Sequence, residues 1–214
     1  EALAAHAPAI VGKLEHSDWW VRSVALAALA QLPAEAFAAH APAIVGKIED
    51  SNLQVRYAAV EALAKLPAEA LAAHAAAIVG KLEDSSSLVR IAAVTLLAKL
   101  PTNVFNDKAW AAGIVGSLSD NDKDVRRAAA QVKLSDSVLA AHAEITVGNL
   151  TSRYEDVRHA AVQALAKLPA EALATHVVSK LMDSDDHVRQ LAVRLLAKLP
   201  AEALAAHTPA LIDS

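Results

Sequence analysis

Apolar residues recur along the chain at the three- and four-residue spacing of an amphipathic helix, and short polar runs interrupt them at regular intervals. In residues 33–66 the first apolar stripe consists of Phe37, Ala41, Ile44 and Ile48. After the polar residues 49–52, which suit a turn and a helix N-cap, the second stripe consists of Val55, Ala59, Ala62 and Leu66. The pattern predicts helix A from Pro33, whose ring suits a first helical turn, and helix B after residue 52.

The same two-helix pattern is repeated along the chain, and two short markers show its period. Leu-Pro marks helix A at 32–33, 66–67, 100–101, 168–169 and 199–200, with Leu134-Ser135 in the remaining place. Val-Arg marks helix B at 21–22, 55–56, 89–90, 125–126, 157–158 and 188–189. Successive helix A markers are 34 residues apart, except for one spacing of 31.

These markers divide a single predicted domain, 1–214, into six two-helix units and a trailing helix. The predicted boundaries are 1–32, 33–66, 67–100, 101–134, 135–168, 169–199 and 200–214. Neither helix of a unit can bury its apolar stripe alone, whereas stacked units bury a continuous core. We therefore predict an all-α fold, an α-solenoid superhelix of about six repeats.

The residues around the Val-Arg marker resemble a known repeat family. The stretch His-Ser-Asp-Trp-Trp-Val-Arg-Ser-Val-Ala at 16–25 and its copies are similar to HEAT repeats, in particular to the short HEAT-like unit of bilin-lyase-related proteins. Tetratricopeptide repeats share the period, but their tryptophan-glycine-tyrosine pattern is absent. The resemblance implies a ladder between adjacent repeats, in which turn aspartates pair with Val-Arg arginines. Its expected members are Asp50, Arg56, Asp84, Arg90, Asp156 and Arg158.

One face of helix B varies between repeats while the opposite face is nearly constant. Counted from the valine of Val-Arg, the residues four and eleven positions on are nearly always Ala and Leu, whereas those at −2, +2 and +6 change freely. These three positions fall within an arc of about 80° opposite the buried stripe. We name this arc the variable face. The HEAT resemblance implies that it lines the concave side of a superhelix.

The variable face supplies the candidate binding residues. Its first half is aromatic and aliphatic, and exposed aromatic residues commonly anchor a protein partner. We expect apolar anchors at Trp19, Leu53, Tyr57 and Ile91, and polar selectors at Arg127, His159 and Arg194. A simpler alternative is that Trp19 and Trp20 only pack against the N-terminal helix, since single exposed apolar residues are ordinary.

Composition narrows the classes of partner and of chemistry. The net charge of −4 gives no general attraction to nucleic acid. The absence of cysteine excludes disulfides and thiolate metal sites. No apolar run is long enough to span a bilayer, and no signal peptide is recognisable. We therefore expect a protein or peptide partner, no nucleic acid, no membrane contact, and a cytoplasmic location by default.

A column of histidines raises the possibility of a metal site, which its geometry argues against. The column consists of His6, His40, His74, His142, His176 and His207. Packed helices lie about 8–10 Å apart, whereas two imidazoles on one zinc need nitrogen–metal distances of about 2 Å. We expect structural histidines that bond a nearby carbonyl, with no metal, cofactor or catalytic residue. Asp120 to Asp124 resembles a calcium loop, but it lacks the glycine and glutamate of one and is expected to form a turn and N-cap.

Several irregularities interrupt the period. The fourth unit has an altered start and a shorter helix B, so residues 101–135 are expected to be the least stable segment. Pro8, Pro42 and Pro209 fall inside helix A and are expected to kink it. Both ends resemble cuts from a longer array, which suggests a monomer or weak end-to-end association.

Taken together, these patterns predict a non-enzymatic scaffold that binds a peptide or helix on its concave face. Two alternatives remain open. The near-identical Leu-Pro-Ala-Glu-Ala phrases also suit an engineered, generated or orphan repeat array with no natural partner. A weaker alternative is a HEAT-like lyase or hydroxylase, although no histidine is followed by the glutamate that HEAT-repeat hydroxylases use.

Overall fold

A computed structural model describes residues 2–101, 108–132, 134 and 136–205. In these residues the backbone forms α-helices and short 3₁₀ helices, and no strand. Contacts between Cα atoms divide the chain into two compact units, Glu1–Val104 and Phe105–Ser214, with the division inside the fourth predicted repeat. The two units are described one after the other.

The first unit contains three successive two-helix repeats. Its α-helices are α1 (Ala2–Ala5), α2 (Ala7–Gly12), α3 (Trp19–Leu29), α4 (Ala34–Ala38), α5 (Ala41–Gly46), α6 (Leu53–Leu63), α7 (Ala68–Ala72), α8 (Ala75–Val79) and α9 (Ser87–Leu97). Helix B of each repeat is a single helix of 11 residues, namely α3, α6 or α9. Helix α3 packs on α6, and α6 packs on α9.

The second unit repeats the pattern less regularly. Its α-helices are α10 (Lys108–Ser117), α11 (Lys123–Ala130), α12 (Asp136–Ala141), α13 (Ala143–Gly148), α14 (Glu155–Leu165), α15 (Ala170–Val177), α16 (Asp186–Leu196) and α17 (Ala201–Ala205). Helix B of the fourth repeat, α11, has 8 residues where α14 has 11. Residues 102–107, 133, 135 and 206–214 lie outside the described residues, including His207, Pro209 and most of the altered start of the fourth repeat.

The predicted apolar stripes form the core. In the second repeat Phe37, Ala41, Ile44 and Ile48 of helix A are buried, and so are all four residues predicted for helix B. The second unit has a comparable cluster around Leu150, Ala161, Leu165, Val188 and Leu195. The predicted buried apolar stripes of the helix A and helix B segments are therefore confirmed for the described residues.

Helix B begins where polar side chains cap it. The Asn52 side chain accepts a hydrogen bond from the backbone N–H of Gln54 at 2.8 Å, and Asp18 does the same for Trp20 at 2.9 Å. The Asp122 carboxylate accepts from two backbone N–H groups at the start of α11. These caps satisfy donors that a helix start leaves free. They confirm the predicted turn at 49–52 and the predicted cap within Asp120 to Asp124.

Helix A is not one kinked helix, which corrects an expectation from the sequence. It begins one residue after Pro33, which is extended, and then divides into two short α-helices at the column histidine. Pro42 stands in the first turn of the second of these helices, where proline is well tolerated. The same break follows His74 and His142, although Ala76 and Glu144 replace the proline there. Proline therefore does not cause the break.

Where helix A is broken at the histidine, it is three residues longer than helix A of the sixth repeat. The sixth repeat lacks those residues, and its α15 runs unbroken through His176. At His40 the backbone N–H donates to Phe37 O at 2.9 Å, a tight turn that ends the first segment, and the His40 carbonyl starts the next segment. The expectation that these histidines bond a carbonyl is wrong for the described members of the column. Within the described part of the chain, these side chains make no such bond. What His6, His40, His74 and His142 share is a backbone conformation that lies just before the second segment of helix A.

Candidate functional site

The Val-Arg arginines fix the turn that precedes their own helix. Arg56 Nη1 donates to the carbonyls of Asp50 and Ser51 at 3.0 and 3.2 Å. The other five arginines of the marker make the corresponding bond, which holds the end of helix A against the start of helix B. Within each repeat, the marker arginine therefore fixes the turn between helix A and helix B.

In the first unit the same arginines also bind the next repeat. Arg22 donates from Nε and Nη2 to the two carboxylate oxygens of Asp50, both at 2.8 Å. Arg56 makes the same bidentate contact with Asp84, from Nε at 2.8 Å and from Nη2 at 2.9 Å. The side chains of Asp50 and Asp84 are 7% and 5% exposed. Bidentate arginine–carboxylate pairs combine charge attraction with a fixed geometry.

These contacts govern the ionisation of the two aspartates. Partial burial of Asp50 acts to raise its pKa, but hydrogen bonds from Arg22 and from the Asn52 backbone outweigh burial, and the pKa lies below its ordinary value. The pKa of Asp84 is lowered for the same reasons, against the same effect of burial, by Arg56 and the Ser86 backbone. Both carboxylates are ionised wherever the protein is folded at neutral pH.

A second inter-repeat contact was not expected from the sequence. Lys47 Nζ lies 2.8 Å from Glu15, and Lys81 Nζ lies 2.7 Å from Glu49. The lysine side chains are 14% and 10% exposed, whereas the glutamates are largely exposed. The constant 32-residue separation of each pair is visible in the sequence, but it has meaning only once the stacking register is known.

The second unit keeps only part of this network. Arg126 binds Asp156 at 2.9 Å and lies 4.0 Å from the centre of the Tyr154 ring. Ser119 and Asn149 occupy the places of the glutamate and lysine and hydrogen-bond each other. Arg158 donates to the Ser152 carbonyl at 2.7 Å, but its Nε is buried without a partner. Asp156 thus pairs across repeats from the first turn of α14, whereas Asp50 and Asp84 lie in the turn before helix B.

The predicted apolar anchors lie on three helices that pack side by side in the first unit. Trp19 and Leu53 are the first residues of α3 and α6, and they are 39% and 40% exposed. Tyr57 and Ile91 lie on α6 and α9 and are half-buried. Partial burial, with a smaller effect of Glu61, raises the pKa of Tyr57. Its hydroxyl therefore stays protonated and is available as a hydrogen-bond donor.

Trp19 and Trp20 contact each other, and the N-terminal helix does not bury either side chain. Their rings meet edge to face with centroids 5.8 Å apart. Trp20 remains 61% exposed although it lies beside Ala9 and Ile10 of α2. Packing against the N-terminal helix therefore leaves much of both indole rings open to solvent.

The predicted polar selectors lie on the helix B surfaces of the second unit. Arg127 is exposed and pairs with Asp124 of its own helix at 2.8 Å. It lines a cavity of about 340 Å³ with Lys123 and Asp156, and His159 lines a second of about 440 Å³ with Glu155 and Gln163. Arg194 is exposed on α16. The first cavity carries charges of both signs, whereas the second is lined by the carboxylates of Glu155 and Asp156 and by neither lysine nor arginine.

Two further properties concern metal and membrane. Among the described residues, no group of three or more His, Asp or Glu side chains is placed to hold a metal ion. In the same part of the chain, the helices are all too short or too polar to cross a bilayer.

Each unit consists of stacked helical repeats whose turns are held by the Val-Arg arginines, which is the architecture of an α-solenoid. The sequence model of HEAT repeats matches residues 7–81. No curated protein matches the sequence.

Several solved structures with the same fold are engineered proteins. One engineered protein is 23% identical with a TM-score of 0.58, and the match covers 92% of this chain and 96% of the other. The designed armadillo repeat protein YIII(Dq)4CqI is 19% identical with a TM-score of 0.57, and the match covers 91% and 100%. A designed armadillo repeat protein in complex with the peptide (KR)4 is also 19% identical, with a TM-score of 0.54 and coverage of 89% and 99%.

Proposed function

We propose that this protein is a non-enzymatic scaffold that binds a peptide or helix on the variable face of α3, α6 and α9. The observation that carries the proposal is the exposure of Trp19 and Leu53 at variable positions of two helices that are packed together. The constant positions of the same helices are buried and fix the spacing of the face. A rigid array with apolar side chains at regular intervals suits a partner with apolar side chains at matching intervals.

The polar groups on this face narrow the expected partner. Tyr57 offers a protonated hydroxyl that makes no hydrogen bond within the described part of the chain. Glu61 is exposed one turn further along α6. We therefore expect a segment with aliphatic or aromatic side chains, a hydrogen-bond acceptor for Tyr57 and a basic residue near Glu61. A designed armadillo relative in complex with (KR)4 supports peptide binding by this type of scaffold.

On the second unit, Arg127, His159 and Arg194 would select polar or charged side chains of a partner. Their exposure supports this role. Because Arg127 is already paired with Asp124, an acidic partner side chain would have to compete for it.

A second candidate is an engineered, generated or orphan array that specifies shape and has no natural partner. Two observations favour it, namely the nearly verbatim Leu-Pro-Ala-Glu-Ala phrases and the engineered origin of several similar structures. Peptide binding is the feature that separates the two candidates.

Panning a random peptide library on purified protein tests the proposal. The parent is compared with a Trp19→Ser, Tyr57→Ser, Ile91→Ser variant, which leaves the constant buried stripes intact. The matched control is an Ile145→Ser, Met182→Ser variant, which removes exposed apolar residues away from the variable face. We expect peptides that are enriched on the parent and the control and lost on the triple variant. If all three folded proteins enrich nothing, or enrich the same peptides, the second candidate is favoured.

A further inference from the structure

Three cavities of the second unit meet at one junction between two helix B segments. Their volumes are about 340, 440 and 70 Å³, and Ala130 and Ala160 line all three. These alanines belong to α11 and α14, which pack against each other. Arg126 of α11 binds Asp156 of α14 at 2.9 Å, and each alanine follows one turn beyond its member of this pair. The cavities are therefore parts of one groove, named the α11–α14 groove, that begins beside an inter-repeat ion pair.

The first unit shows which kind of side chain fills this space at other junctions. There the residue one turn beyond the bridging arginine of helix B is Leu26 or Val60, and both are buried. The fourth repeat has Ala130 at this position, and it is exposed. The α11–α14 groove is therefore open where a branched aliphatic side chain of the protein itself closes the junctions of the first unit.

The two walls of the groove carry unpaired charges of opposite sign. Lys123 on α11 lines the first cavity and Glu155 on α14 lines the second. Both side chains are exposed, and within the described residues neither makes an ion pair. Arg126 and Arg127 of the same wall are already paired with aspartates, and Lys167 lies beside the smallest cavity, beyond the C-terminal end of α14. An occupant that carries both an anion and a cation would thus complete two ion pairs.

We propose that the α11–α14 groove binds an extended segment of a partner polypeptide with the pattern acidic–x–aliphatic–x–basic. The aliphatic side chain, of the leucine or valine type, enters the space beside Ala130 and Ala160. The acidic and basic residues pair with Lys123 and Glu155. The proposal deepens the selecting role proposed above for Arg127 and its neighbours on the second unit and rests on it, but it does not require binding on α3, α6 and α9.

The spacing of an extended chain fits this arrangement. Successive side chains of such a chain alternate in direction, so residues two positions apart point the same way and lie about 6.6 Å apart. The axes of packed helices lie about 8–10 Å apart. When the aliphatic residue enters the groove midway between α11 and α14, the residues two positions before and after it therefore stand above the two helices. Their side chains then reach Lys123 on one wall and Glu155 on the other.

Nuclear magnetic resonance titrations of the ¹⁵N-labelled full chain test the proposal. The probes are three acetylated and amidated pentapeptides, namely Glu-Ser-Leu-Ser-Lys, Glu-Ser-Ala-Ser-Lys and Gln-Ser-Leu-Ser-Gln. We expect the first peptide to shift the amide resonances of α11 and α14. It should bind about fivefold more tightly than either of the others, because it alone combines the aliphatic side chain with both charges.

A substitution that closes the groove provides the second arm of the test. Ala130→Leu supplies the side chain that the first unit has at this position. It should abolish the preference for the first peptide over its alanine counterpart, while the urea midpoint of unfolding stays the same or rises. The matched control is Ala197→Leu, the same change at an exposed alanine that ends α16, and it should leave the preference unchanged.

Equal affinity of the leucine and alanine peptides, shifts confined to other helices, binding of none of the peptides, or equal effects of Ala130→Leu and Ala197→Leu would overturn the proposal. So would a lower urea midpoint in Ala130→Leu, because the space would then not be open. Self-association that Ala130→Leu abolishes would assign the groove to a second copy instead. The triple variant used in panning changes only α3, α6 and α9, so the two proposals can fail separately.

Discussion

At the scale of single residues, the marker arginine of the first and of the second repeat serves two purposes. Arg56 fixes its own turn through backbone carbonyls and binds Asp84 of the next repeat through its remaining nitrogens. Because local geometry and repeat stacking depend on the same side chain, a change at either end of the pair affects both. The Lys47–Glu15 contact, by comparison, has one largely exposed partner.

We expect Asp84→Ala to lower the free energy of unfolding by about 3 kcal/mol, because it leaves the guanidinium of Arg56 without its counter-ion at a largely buried site. Glu15→Ala removes the more exposed inter-repeat contact and should cost about 1 kcal/mol or less. Urea unfolding followed by circular dichroism measures both values. Equal losses for the two variants would show that burial of the Arg–Asp pair is not what makes it important.

The lowered pKa values of Asp50 and Asp84 predict acid sensitivity. An aspartate is less acidic in the unfolded chain, with a pKa of about 3.9. Below about pH 5 the unfolded state therefore binds more protons than the folded state. The free energy of unfolding decreases as the pH is lowered from there towards the folded-state pKa. We expect the unfolding free energy to fall between pH 5 and pH 3. The fall should be smaller in an Asp50→Asn, Asp84→Asn variant, and an unchanged slope would contradict the assignment.

At the scale of elements, the sequence predicted which segments are helical better than it predicted how helix A is built. The stripe of Phe37, Ala41, Ile44 and Ile48 is buried as expected, because side-chain periodicity survives a small change in backbone direction. The break at His40 depends on backbone angles at one or two residues, which apolar spacing does not report. Comparison with the sixth repeat, where three residues are missing and α15 is continuous, is the signal that could have revealed it.

Proline substitutions test this description of helix A. Ala76 holds the place in the third repeat that Pro42 holds in the second, within the first turn of a new helix. Ala76→Pro should therefore be tolerated or stabilise by up to about 1 kcal/mol, and Pro42→Ala should destabilise slightly. The measurement is the unfolding free energy. A loss of about 3 kcal/mol in Ala76→Pro would instead indicate a continuous helix interrupted by proline.

The inter-repeat contacts were only partly predictable from the sequence. The HEAT resemblance implied that turn aspartates and marker arginines pair, and the structure places Asp50 and Asp84 on the arginines of the preceding repeats. The resemblance did not indicate that Asp156 would pair from the first turn of α14, or that Arg158 Nε would have no partner among the described residues. Insertions and deletions shift these side chains by a fraction of a turn, and spacing alone does not resolve such shifts.

At the scale of the whole molecule, the regular period predicted a solenoid, and the departures from the period predict where it is weakest. In the fourth repeat α11 is three residues shorter than α14. Ala130 is exposed there, at the position where Leu26 and Val60 are buried. Fewer buried apolar contacts favour local opening.

Hydrogen exchange measures this difference directly. We expect the amides of α11, within the segment 101–135, to exchange faster than those of α6, within 50–75. Exchange of α16 should also be faster than that of α6, because Arg158 Nε, at the junction with α16, is buried without a partner among the described residues. Equal protection of α11 and α6 would show that the irregular repeat is not a weak point.

The most direct test of the proposed function compares peptide affinity between a variant of the variable face and a variant outside that face. The peptide most enriched on the parent is titrated by calorimetry into the parent, the Tyr57→Ser variant and the Val24→Ser variant. If the variable face is the binding site, Tyr57→Ser weakens binding by about tenfold, which corresponds to about 1.4 kcal/mol, and Val24→Ser leaves the affinity unchanged. Unchanged affinity in Tyr57→Ser, or a loss confined to Val24→Ser, would contradict peptide binding on the variable face.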